Sequence, residues 1–262
     1  MATDLVRLDL LLRRRSLIGF SLGMAAYTFV IVALYPAFRH ETGLDKLMSE
    51  NSTFAALLGI RGSLTSASGW LNANLYTNFL PLVVLLLTVG YGASCIAGQN
   101  EDGTLGLVAS LPLTRTRIAL QKVGAMCLVA VPVSAVTAIS VFLGRGFGLR
   151  VDAAALVGVT IAVLLLGIDF GALAMLIGSL TGSRSVALGV ASSVTAAAYL
   201  VNSLAPVVSW IRPARLASPF FYAVGDGQLV EGVSVTAFVV LSAVAVALSA
   251  ATVVAFRRLD VD

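Results

Sequence analysis

Six long apolar stretches constrain this chain more than any other feature of its sequence. A helix that crosses a membrane needs about 20 mostly apolar residues, because its backbone polar groups must be hydrogen-bonded within the segment. The sequence therefore predicts an all-α membrane protein with six transmembrane helices, within a single domain that covers residues 1–262. The six predicted segments are 16–36, 77–98, 123–143, 153–177, 185–205 and 233–256. Only residues 178–184 separate the fourth from the fifth, which predicts a tight helical hairpin.

The composition supports this interpretation and argues against a water-soluble fold. Hydrophobic residues make up 58% of the chain and charged residues 11%, whereas an ordinary soluble domain is about 45–50% apolar and about 25% charged. A fold this apolar cannot cover itself with polar surface, so the excess apolar surface must face lipid. No proline-rich, serine-rich or charged linker divides the chain, which is why we expect one membrane domain.

The distribution of basic residues predicts the orientation in the cell membrane. An even number of spans places both termini on one side, and the cytoplasmic side carries more Lys and Arg near the spans. The side of the termini has ten, and the other side has seven. The sequence therefore predicts a multi-pass protein with both termini in the cytoplasm. The ten are Arg7, Arg13, Arg14, Arg15, Arg115, Arg117, Lys122, Arg184, Arg257 and Arg258; the seven are Arg39, Lys46, Arg61, Arg145, Arg150, Arg212 and Arg215.

The residues before the first segment have an amphipathic pattern. Leu5, Leu8 and Leu12 share one helical face, opposite Arg7 and Arg14. This pattern is typical of a helix that lies in the membrane interface, and we expect such an N-terminal interfacial helix. The alternative is that the first transmembrane helix simply extends into the cytoplasm. The basic residues of the predicted interfacial helix are Arg7, Arg13, Arg14 and Arg15.

Two outer segments are too long to be plain turns. Ala37 to Tyr76 contains apolar stretches too short to cross a membrane, and we expect interfacial helices and a folded outer cap there. Pro206 to Gly232 mixes aromatic residues with helix breakers, which predicts short re-entrant or interfacial helices with aromatic side chains at the headgroups. A surface loop with anchoring aromatics is the alternative. The residues that mark this outer segment are Trp210, Pro219, Phe220, Phe221 and Tyr222.

The inner segment between the second and third predicted helices has charge at both ends. Acidic residues precede Thr104, a suitable N-cap, where the helix dipole favours negative charge. A short apolar helix is expected to follow and to end at Pro112, and the next helix then begins with basic residues. A cytosolic partner could bind such an element. Its sequence is Glu101-Asp102-Gly103-Thr104, then Leu111-Pro112, then Thr114-Arg115-Thr116-Arg117.

This inner segment resembles the ABC-2 type permease family, the membrane subunits of ATP-binding-cassette exporters, some of them single-unit permeases that export antibiotics or drugs. The family pattern is an acidic pair, Gly-Thr, a short apolar helix, Pro, and then Ser/Thr-Arg with another basic residue. The resemblance continues in order along the whole chain. The further matching stretches are Gly182-Ser183-Arg184, Tyr199 to Pro206, Ser218 to Tyr222, and Phe256 to Asp260.

The resemblance implies a function and a set of partners. The N-terminal helix and the inner segment would dock on a separate P-loop ATPase, which would carry the ATP and Mg. The permease would pair with a second copy or a related subunit, and a hydrophobic or amphiphilic substrate would pass outward between the faces of the first and fifth helices. The chain departs from the family pattern at Gly106, where Glu is common, and at Gln99 and Asn100, where acidic residues are favoured. The ATPase-coupling residues implied are Glu101, Asp102, Gly103, Thr104, Pro112, Arg115 and Arg117.

The sequence lacks the residue patterns of three other kinds of site: a P-loop, a metal site and a nucleic-acid-binding surface. A P-loop needs Gly-x-x-x-x-Gly-Lys-Ser/Thr, and neither Lys46 nor Lys122 follows a glycine. No His, Cys and Glu cluster has metal-ligand spacing, and His40 is expected to be a solvated loop residue. The basic residues lie at the ends of apolar segments, which argues against nucleic-acid binding. We therefore expect a transport subunit that is not an enzyme, with no catalytic residue, metal or cofactor of its own.

Asp169 is the residue whose place in a predicted transmembrane helix costs the most free energy of membrane insertion. It lies near the middle of the fourth segment, where a carboxylate costs about 2.5–3.5 kcal/mol on insertion scales. It is either a pathway group, together with Asn202, or a helix-packing group that is neutral or bonded to a neighbouring Ser, Thr or Asn. Gly167 and Gly171 nearby predict close helix packing. Two further functions remain open: a proton-coupled secondary transporter that uses Asp169, and a membrane scaffold that transports nothing.

Overall fold

The computed structural model describes residues 4–39, 64–106, 113–225 and 227–258. These residues form helices and turns, with no β-strand among them. Six helices are long and apolar enough to cross a membrane, which confirms the predicted number of spans. They are span one (Asp4–Phe38), span two (Ala67–Glu101), span three (Arg115–Phe147), span four (Ala153–Thr181), span five (Arg184–Leu204) and span six (Val235–Arg258).

The prediction of a separate interfacial helix at the N-terminus is wrong. Span one is one continuous helix of 35 residues from Asp4 to Phe38, about 52 Å long at 1.5 Å per residue. The hydrocarbon core of a bilayer is about 30 Å thick, so this helix is long enough for the alternative, in which the first transmembrane helix extends into the cytoplasm. No Pro or Gly interrupts the first four turns, and buried contacts of Asp9 fix this part of the helix to its neighbours. We call the end of the bundle where span one begins the inner end.

Spans two and three also begin earlier than predicted, and both are segmented. Span two includes two short π-helical stretches, and span three has a junction at Ala130, just before Pro132. Irregular stretches of this kind are frequent at functional sites. The segments are Ala67–Leu71, Asn72–Tyr76 (π), Phe79–Ala93, Ser94–Gly98 (π) and Gln99–Glu101 in span two, and Arg115–Val129, Val131–Leu143 and Gly144–Phe147 (3₁₀) in span three.

Glycines allow spans two and four to cross closely at the centre of the bundle. A Cβ added at Gly92 would lie 2.2 Å from the carbonyl oxygen of Gly171, and one at Gly167 would lie 2.4 Å from a methyl of Val84. The predicted close packing at Gly167 and Gly171 is therefore confirmed. Span four also packs along span six, where Thr252 donates a hydrogen bond to the backbone oxygen of Ala172 at 3.4 Å.

Spans four and five form the tight hairpin that the sequence predicts. Span four ends at Thr181 and span five begins at Arg184. Gly182 joins them with a φ of 65°, a left-handed conformation that glycine adopts without a steric cost. The two spans differ sharply in burial. In the most apolar stretch of span four 61% of the residues are buried, whereas in that of span five only 11% are.

The outer segment between spans five and six folds into three short helices. These are Arg212–Ala217 (3₁₀), Pro219–Val224 and Gln228–Glu231. The short helices that the sequence predicts are thus present, and their depth in the membrane stays a prediction. Most of the predicted outer cap at 37–76, including His40, lies outside the described residues. The described part of that segment from Ala67 onward belongs to span two.

Candidate functional site

A buried ion pair joins spans one and three near the inner end. The Nζ of Lys122 lies 3.0 and 2.9 Å from the two carboxylate oxygens of Asp9, and Lys122 is only 1% exposed. The hydroxyl of Tyr91 in span two donates a third hydrogen bond to Asp9, at 2.6 Å. Each charge therefore has a partner of opposite sign or a hydrogen bond, as a charge removed from water requires.

The sequence pattern does not predict this cluster. Lys122 counts there as one of the cytoplasmic charges, and Asp9 has no assigned role. A signal was present, because Asp9 lies between Leu5 and Leu12 on the apolar face of an amphipathic segment. A lone acid on an apolar face and a lone lysine at the start of an apolar stretch are candidates for an ion pair with each other.

Arg13 lies one turn along span one from Asp9 and faces span two. Its guanidinium group donates a hydrogen bond to the hydroxyl of Ser94 at 2.5 Å and stands 4.9 Å from the ring centre of Tyr91. Ser94 is the first residue of the inner π-helical stretch. The predicted interfacial residue Arg13 is therefore a partly buried contact between two spans, whereas Arg7, Arg14 and Arg15 are exposed.

Glu101, at the inner end of span two, caps span five. Its Oε1 accepts a hydrogen bond from the backbone N–H of Arg184 at 2.8 Å. Ser183 stands at the N-cap position of span five but makes no capping bond with its own side chain. Glu101 supplies the acceptor and the negative charge that a helix N-terminus favours. One predicted coupling residue thus ties the inner segment to span five.

Residues 101–117, the inner segment that is predicted to bind an ATPase, are called the docking segment. The structure describes the two ends of this segment and not its middle. Glu101, Asp102, Gly103 and Thr104 are exposed, and the chain turns at Gly103 with a φ of 67°. At the other end the hydroxyl of Thr114 accepts a hydrogen bond from the N–H of Arg117 and caps span three. Arg115 and Arg117 are exposed in the first turn of that span. Pro112 lies outside the described residues, in the gap at 107–112.

A polar cavity of about 470 Å³ lies between the inner ends of spans one, two and five. Its charged side chains are Asp9, Arg13, Asp102 and Arg184, and its other polar side chains include Ser16, Tyr91, Ser94 and Gln99. Its apolar wall is formed by Leu12, Phe20, Leu86 and Leu87. Arg13 and Arg184 therefore face one space, although 171 positions separate them in the sequence.

An apolar groove of about 610 Å³ continues outward between spans two and five. It shares Leu86 and Gly90 with the polar cavity, and it ends near Asn78 and Tyr199, which are hydrogen-bonded at 2.9 Å. A third cavity of about 500 Å³ lies between spans one and two and shares Phe20 with the polar cavity and Val83 with the groove. The three cavities form one connected face along span two.

Neither predicted pathway candidate lines these three cavities. Asp169 is 2% exposed, and in the described part of the chain neither of its carboxylate oxygens has a hydrogen-bond partner. It follows Gly158 by eleven residues, which is about three helical turns, and a Cβ at Gly158 would contact Val233 beside span six. Asp169 therefore projects toward span six and away from span two. The side-chain oxygen of Asn202 accepts a bond of 3.4 Å from Arg215.

The outer aromatic residues separate into buried and exposed groups. Phe220 is buried, with its ring centre 5.6 Å from those of Phe170 and Tyr199. Phe221 and Tyr222 are partly buried and in edge contact, and Pro219 begins their short helix. Trp210 is 80% exposed. Burial of Phe220 anchors the outer segment on spans four and five, and the position of Trp210 suits a side chain at the headgroups.

Comparison with known proteins identifies one family. The sequence profile of a family described as "ABC-2 family transporter protein" matches residues 5–261, nearly the whole chain. No curated protein matches the sequence. The profile match covers all six spans, the inner segment and the residues of the three cavities.

Proposed function

Because the chain belongs to the ABC-2 family of membrane transporter proteins, we propose that it is the permease subunit of an ATP-binding-cassette exporter. A separate P-loop ATPase subunit, carrying ATP and Mg, powers it. The substrate is hydrophobic or amphiphilic and moves outward. The observation that carries this proposal is the profile match across residues 5–261 of a chain with six membrane spans.

The attachments of the docking segment support the coupling part of the proposal. At one end, Glu101 is bonded to the first backbone N–H of span five. Shortly after the other end, Lys122 is bonded to Asp9 of span one. A force applied to this segment by an ATPase would therefore reach spans one and five directly, through one capping bond and one ion pair. These are the two spans between which the resemblance places the substrate path.

The cavities support a path for an apolar or amphiphilic substrate. The groove between spans two and five is lined almost entirely by apolar atoms, with a few polar groups such as Ser192 and Thr195. Ligand sites are typically concave and mostly apolar, with a small number of polar groups. Val186, Val190 and Val194 form an exposed stripe on the side of span five that faces away from the groove. This stripe offers an apolar surface on which a second permease copy would pack.

The secondary-transporter alternative has less support. It requires a proton site on the pathway, and Asp169 faces span six and lines none of the three cavities. The scaffold alternative predicts that the docking segment tolerates mutation and that no nucleotide hydrolysis depends on the chain.

The test is charge reversal at the exposed ends of the docking segment. In membranes that contain the complete transporter, Asp102→Lys combined with Arg115→Glu and Arg117→Glu should abolish substrate-dependent ATP hydrolysis while the chain stays folded. Asp102 makes no capping bond, so its reversal spares the bond between Glu101 and span five. Arg150→Glu, which reverses an exposed arginine at the opposite end of the bundle just before span four, is the control and should keep normal hydrolysis. Unchanged hydrolysis in the triple variant would contradict the docking assignment and favour the scaffold.

A further inference from the structure

The polar cavity at the inner end contains two arginines whose charge is not neutralised. Arg13 is bonded to a serine hydroxyl and lies over a tyrosine ring. Only the backbone N–H of Arg184 is bonded, to Glu101. In the described part of the chain, neither guanidinium group forms an ion pair with a carboxylate. Both therefore keep donors that can bind a further acceptor, and a planar guanidinium matches the oxygens of a phosphate in a bidentate manner.

The acidic side chains near the cavity leave its interior part positive. The carboxylate of Asp9 faces the cavity, but Lys122 neutralises it at 2.9 Å. The other two acids, Asp102 and Glu101, are exposed and lie at the inner mouth, where Glu101 accepts the bond from the backbone of Arg184. In the described part of the chain no carboxylate is paired with Arg13, so an anion bound inside the cavity would meet its positive charge.

The depth of the cavity and its apolar wall distinguish a lipid from a soluble anion. Arg13 precedes the apolar part of span one by three residues, and Arg184 is the first residue of span five, so both lie at the level expected for the headgroups of the inner leaflet. The wall formed by Leu12, Phe20 and Leu86 has no side-chain hydrogen-bond donor for a free phosphate ion. The apolar groove begins at Leu86, where an acyl chain would leave the cavity.

We propose that this cavity binds the phosphodiester headgroup of an anionic phospholipid from the inner leaflet, with Arg13 and Arg184 on the phosphate and an acyl chain along the groove between spans two and five. Basic pockets between transmembrane helices on the cytoplasmic side are recognised sites for anionic headgroups. The proposal rests on the cavity and on the predicted orientation. It holds whether or not the chain is a transporter, so its failure and that of the proposed function are separate results.

Native mass spectrometry of the full chain, with any subunits that remain bound, tests the proposal. Phosphatidylglycerol and phosphatidylcholine with the same acyl chains are titrated into the detergent-purified protein, and the bound lipid is counted. Wild-type protein should prefer phosphatidylglycerol, and Arg13→Gln combined with Arg184→Gln should weaken its binding about tenfold or more, as expected for lost charge-assisted hydrogen bonds. Phosphatidylcholine carries the same phosphodiester, but its choline cation would lie close to the arginines, so it should bind the wild type more weakly and lose less binding in the double variant.

The matched control removes the same number of charges outside the cavity. Arg14→Gln combined with Arg15→Gln should bind phosphatidylglycerol like the wild type, since both side chains are exposed and do not line the cavity. If the double cavity variant fails to fold, Arg184→Gln alone carries the test, because its side chain makes no hydrogen bond or ion pair in the described residues. Equal phosphatidylglycerol binding by the cavity and control variants would overturn the proposal. Complete displacement of the lipid by millimolar inorganic phosphate would also overturn it, in favour of a soluble anion.

Discussion

The ion pair between Asp9 and Lys122 allows a quantitative prediction. Lys122 is 1% exposed and Asp9 is 6% exposed, so removing either partner leaves a charge that water does not reach. Removing one member of a buried pair typically costs about 3–5 kcal/mol, whereas replacing both members with apolar residues is often neutral. We therefore expect Asp9→Ala and Lys122→Met each to lower the free energy of unfolding by about 3–5 kcal/mol. The double variant should lose far less than the sum.

The assay is equilibrium unfolding of the full chain in mixed detergent micelles, arranged as a double-mutant cycle. Tyr91→Phe provides an independent check. It removes one hydrogen bond to a charged group and should cost about 1.5–3 kcal/mol, but only while Asp9 is present. Arg14→Met is the matched control, since this exposed cation one turn along should change stability by less than about 0.5 kcal/mol. Losses below about 1 kcal/mol in both single variants, or strict additivity in the double variant, would refute the reasoning.

Three further predictions follow from particular contacts. Gly92→Ala should destabilise the bundle by about 2 kcal/mol or more, because its Cβ would lie 2.2 Å from the oxygen of Gly171, whereas Gly189→Ala, with nothing within 4 Å, should be neutral in the same unfolding assay; equal effects would mean that spans two and four do not cross there. Glu101→Ala should cost about 0.5–2 kcal/mol as a lost cap and should increase amide exchange in the first turn of span five; unchanged exchange would refute the cap. Asp169→Asn should fold and support transport at near wild-type rates, because the carboxylate has no hydrogen-bond partner among the described residues and lines none of the three cavities; loss of transport in a stable variant would restore its pathway role.

The sequence alone predicts the features that depend on local chemistry. Six spans follow from the length of helix that a bilayer requires. The start of span three with basic residues follows from Pro112 just before it, and the hairpin of spans four and five follows from the short interval between them. The small residues at Gly167 and Gly171 indicate a close crossing, although the sequence does not name span two as the partner. All of these are confirmed in the structure.

The features that escape sequence analysis join residues far apart in the chain. Asp9 and Lys122 are 113 positions apart, and Glu101 reaches a backbone group 83 positions away. No periodicity encodes such a pairing, because it depends on which spans lie side by side. The same pairing accounts for the N-terminal segment, which does not form a separate helix. Its amphipathic face contains Asp9, whose partner Lys122 is in span three, and the segment is continuous with span one.

The most direct test of the permease assignment is to identify what remains bound to the chain. The tagged protein is purified from its native membrane in several mild detergents, and the bound proteins are identified and counted by mass spectrometry. The proposed function predicts a P-loop ATPase in a stoichiometric amount. The ATPase should be lost when Asp102, Arg115 and Arg117 are reversed in charge, and it should be retained when Arg150 is reversed instead. Recovery of the chain without any ATPase in every detergent would contradict the assignment.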